Sequence, residues 1–162
     1  MSFSFLEVLD SFKAFFSNPI ILSSLTGWFF SQFIKAIIAL FQIRNKGLKE
    51  ILETMFWRTG GMPSSHAAVV TSMTASVAFN EGLGSNLFAV SLVIALVVMR
   101  DAMGVRRAVG VQARALNLLG DRTAGKLEIE FNPLKEIQGH APQEVIVGAL
   151  LGILISAVYA WL

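Results

Sequence analysis

Long apolar segments separated by short polar stretches run through this chain, and they predict four membrane-spanning helices. The segments comprise residues 20–42, 63–79, 87–99 and 145–162. A helix needs about 20 apolar residues to cross a bilayer, and about 17 is near the lower limit. The second and third segments therefore span only if their ends reach into the membrane interface. Alanine, serine and threonine are frequent in the second segment, which favours close helix contact inside a bundle.

Two other segments have the helical repeat but are not apolar enough to span. In residues 1–18 the apolar positions recur every three or four residues, which predicts an amphipathic helix on the membrane or against the bundle. Residues 101–119 repeat in the same way among arginines, and Gly120 is predicted to end that helix. We then expect residues 120–139 to form an irregular connection.

The composition is that of a membrane protein. Hydrophobic residues make up 54% of the 162-residue chain and charged residues 15%, whereas soluble proteins average about 25% charged residues. We therefore expect an all-α integral membrane bundle of about four spans. An N-terminal amphipathic segment (1–18) precedes one membrane-embedded domain (19–162), which has a polar helical region between spans three and four.

Charge and residue types exclude several kinds of site. The chain has no cysteine, which excludes disulfides and thiolate metal sites. The net charge is +2, and no basic run is interleaved with aromatic residues, so nucleic acid is not expected as a partner. No convincing metal-binding cluster occurs in the sequence, and no cofactor is expected.

The order of the apolar segments predicts which parts of the chain share a side of the membrane. If the four segments cross in turn, residues 43–62 and 100–144 lie on one face. His66 and His140 both lie at that face, and so do 11 of the 13 lysines and arginines. Because cytoplasmic loops carry an excess of these residues, we expect this face in the cytoplasm, in a plasma membrane or a thylakoid-type inner membrane.

Residues 60–66, Gly-Gly-Met-Pro-Ser-Ser-His, stand where the second apolar segment begins. The free N–H groups and the dipole at a helix start bind anions, and a histidine there can transfer a proton near neutral pH. The same residues are equally typical of a plain helix start with an early proline and a serine cap. The pattern by itself leaves both interpretations open.

A second histidine opens the last apolar segment. Glu144 follows His140 by four residues, close enough on a helix to accept a hydrogen bond from the imidazole and fix its tautomer. A proline-started helix whose early glutamate complements the helix dipole explains the same residues without catalysis.

Cationic side chains suited to an anion occur in two other places. Arg106 and Arg107 follow the third apolar segment, and arginine binds phosphate oxygens in pairs. Asp101 directly follows that segment and is expected to pair with a neighbouring arginine. Lys35 lies inside the first segment, where a lysine at the bilayer centre costs about 2.5–3.5 kcal/mol on insertion scales. Snorkelling toward the histidine face relieves much of that cost, and a solvated interfacial helix face is the alternative for the arginines.

Three motifs together resemble the type 2 phosphatidic acid phosphatase and vanadium haloperoxidase superfamily. They look most like its divergent membrane branch, the acid phosphatase/vanadium-dependent haloperoxidase-related proteins. The motifs are Gly-Gly-Met-Pro-Ser-Ser-His at 60–66, Asp-Ala-x-Gly-Val-Arg-Arg at 101–107, and Leu-Lys-Glu with Gly-His-x-Pro-x-Glu-Val at 134–136 and 139–145. The motifs occur in order, and the resemblance covers nearly the whole chain from the first span onward.

The resemblance implies roles for five residues of the first and third motifs. His140 is the nucleophile that attacks phosphorus, Glu144 orients it, and His66 protonates the leaving group. Ser64, Ser65 and the backbone around them hold the phosphoryl oxygens. No metal is required for this chemistry.

The chain also departs from the superfamily pattern. Ser65 replaces a glycine, Glu144 replaces an aspartate, and Gln42 stands where an arginine–proline pair is usual. Leu134 stands in place of a serine–arginine pair ahead of the second histidine. Other residues must then complete the phosphate site, and we expect them to be Lys35, Arg106, Arg107 and Asp101.

The resemblance implies hydrolysis of a phosphate monoester at the cytoplasmic interface. A lipid substrate is expected because both histidines lie at span ends, where head groups lie. Phosphatidylglycerophosphate is the candidate substrate, since its terminal phosphate is made at the cytoplasmic leaflet; prenyl diphosphates and phosphatidate remain open. The alternative is a non-catalytic membrane protein that binds anionic lipid head groups. The membrane setting disfavours a third hypothesis, vanadate-dependent halide oxidation.

Overall fold

The computed structural model describes residues 4–42, 61–136 and 139–162, and the regular secondary structure in these ranges is helical. Within them the helices are α1 (Phe5–Phe16), α2 (Pro19–Gln42), α3 (Ser65–Glu81), α4 (Asn86–Met103), α5 (Val105–Leu127) and α6 (Pro142–Trp161). The prediction of an all-α chain is confirmed. Gly60 of the first histidine motif and the basic residues of 43–60 lie outside the described residues.

Helix α3 lies at the centre of the bundle and packs against α6 through small residues. A side chain added at Gly148 would meet the backbone of Ser64 at the start of α3. Further along, Ser72 Oγ donates to the carbonyl of Gly152 at 3.2 Å, and Ser156 Oγ donates to the carbonyl of Ser72 at 2.6 Å. These contacts advance in the same direction along both helices, so α3 and α6 run parallel and begin at the same level.

Helices α2 and α4 run antiparallel to α3 on its other sides. A side chain at Gly27 of α2 would meet Ser72, whereas Lys35, about two turns later, contacts Ser65 at the start of α3. Helix α4 returns from the end of α3 and reaches the start of α6, to which it is joined by a backbone hydrogen bond. The end of α2, the start of α3, the end of α4 and the start of α6 therefore meet at one end of the bundle.

Among the described residues, three helical stretches are long and apolar enough to cross a membrane. They are Pro19–Phe41, the stretch Asn86–Leu127 that contains α4 and α5, and Pro142–Trp161. Helix α3 is not among them, since it has 17 residues and is rich in buried alanine, serine and threonine. Because α3 lies parallel to α6 through successive turns, we infer that it crosses the same layer as an interior span. The count of four spans stays a prediction.

The N-terminal helix forms where the sequence predicts it. Ser4 and Glu7 make a capping box, in which each side chain accepts a hydrogen bond from the other residue's backbone N–H. The large apolar side chains of α1 are exposed, and no residue of this helix is buried. This exposure is typical of a helix whose apolar face rests on lipid.

Helix α5 is longer than predicted, and the expected stop at Gly120 is wrong. The helix continues to Leu127 and is followed by Glu128, which has a left-handed φ of 53°. A side chain at Gly120 would collide with the ring of Phe131. This glycine therefore makes room for a returning chain segment instead of ending the helix, and the irregular connection begins at residue 128.

Residues 128–136, the return segment, run back along α5 and are tied to it by side chains. The amide of Asn117 donates to the carbonyl of Leu134 at 2.9 Å and accepts the Leu134 N–H at 2.7 Å. Arg114 Nε donates to the Glu136 carboxylate at 3.1 Å. Hydrogen bonds from Arg114 and Asn117 lower the pKa of Glu136 below its ordinary value. The return segment thus carries the chain from the far end of α5 back to the second histidine motif.

Candidate active site

The second histidine motif forms the start of α6 and holds a buried imidazole against a carboxylate. His140 is 4% exposed, and its Nδ1 lies 2.9 Å from Glu144 Oε2. The same carboxylate oxygen accepts the backbone N–H of Ala141 at 3.2 Å, which fixes it from a second direction. A carboxylate at Nδ1 keeps the proton of a neutral imidazole on that atom and leaves the lone pair on Nε2. Nε2 is therefore the atom available to react.

Backbone contacts fix this histidine against three other helices. The N–H of His140 donates to the carbonyl of Ala102 in the last turn of α4 at 3.1 Å. The N–H of Ser64, just ahead of α3, donates to the carbonyl of Glu144 at 2.9 Å. Gly139 lies so close to the backbone of α5 that a side chain there would collide with it. The position of the imidazole is thus set mainly by main-chain atoms.

The first histidine motif forms the start of α3. Ser64 is its N-cap, with an extended backbone and an Oγ that accepts the N–H of Ala67 at 3.4 Å. Gly61 has a φ of +86°, a conformation that favours glycine. Ser65 is buried and accepts a hydrogen bond from Lys35 Nζ at 3.4 Å. The motif is therefore a capped helix start, as the simpler interpretation predicts, and its Ser65 is also hydrogen-bonded to Lys35 of α2.

The two histidine rings lie close together, with centroids 6.2 Å apart and planes tilted by 59°. His66 is exposed, whereas His140 is buried. The short distance between the ring centroids brings both imidazoles to one site at this end of the bundle.

Charged side chains surround the exposed histidine. Arg106, Lys35 and Asp101 all lie within Coulombic range of His66, and so does His140. Arg106 Nε donates to Asp101 Oδ2 at 3.2 Å, and both side chains are partly exposed. Asp101 thus pairs with an arginine, as expected. The two residues belong to different helices, since Asp101 lies in the last turn of α4 and Arg106 in the first turn of α5. The prediction that the polar helix begins at residue 101 is therefore wrong, because it begins at residue 105.

Lys35 is a buried cation, with 6% of its surface exposed. The carboxylate of Glu144 lies within Coulombic range and partly compensates its charge. One turn earlier on α2, the Oε1 atom of Gln32 is buried and has no hydrogen-bond partner among the described residues. The sequence identifies Gln32 only as a polar interruption of an apolar segment, so its burial was not anticipated.

Arg107 lines a cleft of about 310 Å³ that also borders the candidate site. Consecutive helix residues point about 100° apart, and Arg106, unlike Arg107, is not part of this lining. The other lining residues are Gly61, Gly110, Val111, Arg114, Glu136, Gly139 and Glu144. The cleft therefore shares with the paired histidines the carboxylate that holds His140.

The predicted site residues thus fall into two groups. Those gathered around the paired histidines are Lys35, Ser64, Ser65, Asp101, Arg106 and Glu144. Arg107 lines the adjoining cleft, which shares Glu144 with this group. The carbonyl of Ala102, which holds His140 in place, has no signature in the sequence because any residue supplies a backbone carbonyl.

Comparisons with known proteins cover most of this structure. A family model described as the divergent PAP2 family matches residues 16–155, a range that includes both histidine motifs and Lys35. The chain is 41% identical over 164 residues to a Bacillus subtilis (strain 168) protein described as the uncharacterized membrane protein YuiD. That similarity covers 90% of this chain and 96% of the relative. No solved structure matches the chain.

Proposed function

This chain belongs to the divergent PAP2 family, and we propose that it hydrolyses a lipid phosphate monoester in the membrane, through a phosphohistidine and without a metal ion. The observation that supports this most directly is the pairing of two unlike imidazoles. His140 is buried and hydrogen-bonded to a carboxylate, whereas His66 is exposed, and the centroids of the two rings are 6.2 Å apart. This is the arrangement that a nucleophile and a proton donor need when they act on one phosphorus atom.

In the first step, Nε2 of His140 attacks phosphorus and forms an N–P bond. The bond between phosphorus and the lipid oxygen breaks, and protonated His66 donates its proton to that oxygen. Glu144 accepts the Nδ1–H hydrogen bond and stabilises the positive charge that the imidazole acquires. The product is a phosphohistidine and a free lipid alcohol.

In the second step, water attacks phosphorus and the N–P bond breaks. His66 is now neutral and takes the proton from the water molecule, which reverses its role in the first step. Inorganic phosphate leaves, and His140 returns to its starting state. The exposure of His66 gives water access to this side of the site.

The charge on the equatorial oxygens is balanced by protein groups. Lys35 and Ser65 already share a hydrogen bond, and the free N–H groups at the start of α3 lie beside them. Asp101 engages Nε of Arg106 and so orients its guanidinium. Fixed donors of this kind stabilise a phosphoryl transition state without rearrangement.

The site's position favours a lipid substrate. Both histidines lie where a helix begins at one end of the bundle, and α2 and α6 are apolar enough to span from that end. Phosphatidylglycerophosphate is our candidate, since it carries a terminal phosphate and is made at the cytoplasmic leaflet. The excess of lysine and arginine that the sequence predicts for the histidine face supports a site that faces the cytoplasm.

Phosphate release from defined lipids tests this proposal. The purified protein is assayed in mixed micelles with phosphatidylglycerophosphate, phosphatidate and a prenyl diphosphate, in the presence of EDTA. His140→Ala and His66→Ala are compared with Lys126→Ala, a control at an exposed residue in the last turn of α5 that belongs to none of the three motifs. We expect release by the wild type and the control, and a loss of at least about 100-fold in both histidine variants.

Two results would overturn the proposal. Full activity of His140→Ala would exclude it as the nucleophile. Binding of the lipids by the wild type and by His140→Ala, with no phosphate release from either, would show a non-catalytic head-group-binding protein instead.

A further inference from the structure

Helices α4 and α6 enclose an apolar groove next to the candidate active site. Its volume is about 700 Å³, within the range of about 300–1,000 Å³ that is typical of ligand sites. Leu96 and Met103 belong to the α4 wall, and Val145 and Ala149 belong to the α6 wall. Arg100 is the charged residue of its described lining.

The groove begins at the level of the paired histidines and extends away from them. Met103 and Pro142 line one end, directly beside the hydrogen bond that joins His140 to α4. Leu96 and Ala149 line the other end, seven residues further along their helices, which at 1.5 Å per residue is about 10 Å. A molecule with its head at the histidines can therefore place its tail in the groove.

A lipid tail is the occupant that this groove fits. Both walls belong to helical stretches that are apolar enough to span, and the side chain of Leu96 is exposed at the groove. In the hydrocarbon layer the available apolar ligand is an acyl chain. Arg100 lies in the last turn of α4, at the end of the groove that is nearer to the histidines.

We infer that this groove holds one acyl chain of a lipid whose phosphate lies between His66 and His140. The protein then selects a lipid phosphate over a water-soluble phosphate monoester by its tail as well as by its head. This inference rests on the proposed function for the identity of the head group. Occupancy of the groove is read from the labelled peptides and not from phosphate release, so the inference and the proposed function can fail separately.

Photo-crosslinking tests the groove. The protein is reconstituted in dioleoyl phosphatidylcholine vesicles that contain a phosphatidic acid with a diazirine on one acyl chain. A matched phosphatidylcholine probe with the same chain reports ordinary contact with bilayer lipid. Both probes are used with the wild type and with His140→Ala, and the labelled peptides are identified by mass spectrometry. We expect the peptides around Leu96 and Ala149 to be labelled several-fold more by phosphatidic acid than by phosphatidylcholine.

Substitutions that fill the groove provide the controls. Ala149→Phe should reduce the preferential labelling to the phosphatidylcholine level, whereas Ala160→Phe, at an exposed position on the same helix, should leave it unchanged. Leu96→Trp fills the groove from the opposite wall and should have the same effect on labelling. It replaces Ala149→Phe if that variant does not fold.

The outcomes separate the groove from the chemistry. Equal labelling by the two probes, or preferential labelling that survives both groove-filling variants, would overturn the inference. The expected labelling pattern, together with no phosphate release by the wild type, would support the groove and refute the proposed hydrolysis.

Discussion

The backbone N–H of Ser64 donates to the backbone carbonyl of Glu144 at 2.9 Å, and this bond joins the helix starts that carry the two histidines. Because both atoms belong to the main chain, side-chain substitutions in either motif leave the bond available. The bond is continued by close packing of α3 on α6, where Gly148 has no room for a side chain beside Ser64. Variants of the histidines and of Glu144 should therefore alter the chemistry while the framework persists.

Replacement of the carboxylate that holds the nucleophile tests its positioning role. Glu144→Gln keeps the size of the side chain but removes the charge that fixes the Nδ1 proton of His140 and stabilises its positive form. We expect kcat to fall about 100- to 10,000-fold, the range seen for oriented acid–base groups, with little change in KM. Phosphate release by purified variants across a range of pH gives both parameters.

The conservative change distinguishes orientation from mere support of the fold. Glu144→Asp keeps the charge and should recover part of the lost kcat, while the unfolding temperatures of the two variants stay similar. Equal activity of Glu144→Gln and the wild type at every pH would exclude this role.

The proton-donor role of His66 predicts a dependence on the leaving group. His66→Gln should lower the rate about 100- to 10,000-fold for a lipid phosphate, whose alkoxide needs a proton as it leaves. The first step with p-nitrophenyl phosphate, measured as the initial burst of nitrophenolate, should be slowed much less, because the phenolate leaves without protonation. The second step loses its base with either substrate, so the comparison is made on the first step alone. His140→Ala should abolish both reactions. A uniform loss in the first step for both substrates in His66→Gln would contradict a leaving-group role.

The two neighbouring arginines should differ in their effect on catalysis. Arg106 lies within Coulombic range of His66, whereas Arg107 lines the adjoining cleft that Glu144 also borders. Removal of a charge-assisted phosphate contact costs about 1.5–3 kcal/mol, which is about 10- to 150-fold in kcat/KM. We expect a loss of this size in Arg106→Ala and a smaller one in Arg107→Ala, measured with the same lipid phosphate. A larger loss of kcat/KM in Arg107→Ala than in Arg106→Ala would indicate that the phosphate binds in the cleft instead.

The local geometry of each motif could be predicted because it depends on short spacings. Four residues on a helix bring Glu144 to His140, and a serine ahead of a helix caps it. The pairing of Asp101 with an arginine also follows from proximity in the chain.

The contacts between distant segments could not be predicted in this way. Gly120 is typical of a helix C-terminus in the sequence, yet in the structure it leaves space for the ring of Phe131. This contact can be recognised only from the position of the return segment. Consecutive residues on a helix point in different directions, but which of Arg106 and Arg107 faces the histidines depends on how α5 is rotated relative to α6, and a single sequence does not determine that rotation.

Close packing of the central helices predicts a strong effect of small-residue substitutions. A side chain at Gly152 would meet the carbonyl of Ala68 and the hydroxyl of Thr71. Gly152→Val should therefore lower the free energy of unfolding by about 1–3 kcal/mol. Gly125→Ala, where nothing lies within reach of the new methyl group, should leave it unchanged or raise it by about 0.4–1 kcal/mol. Denaturation in detergent measures both, and equal stability of the two variants would contradict this packing.

The absence of cysteine from the chain allows the orientation to be tested with single substitutions. Asn86→Cys lies at the start of α4, and Lys135→Cys lies in the return segment; both positions are exposed. These positions are at opposite ends of the bundle, since α4 ends beside His140 and the return segment leads into it. With the histidines at the cytoplasmic face, a membrane-impermeant maleimide should label Asn86→Cys and not Lys135→Cys in intact spheroplasts. Both should react after permeabilisation. The reverse pattern in intact spheroplasts would place the site outside and exclude substrates that are confined to the cytoplasmic leaflet.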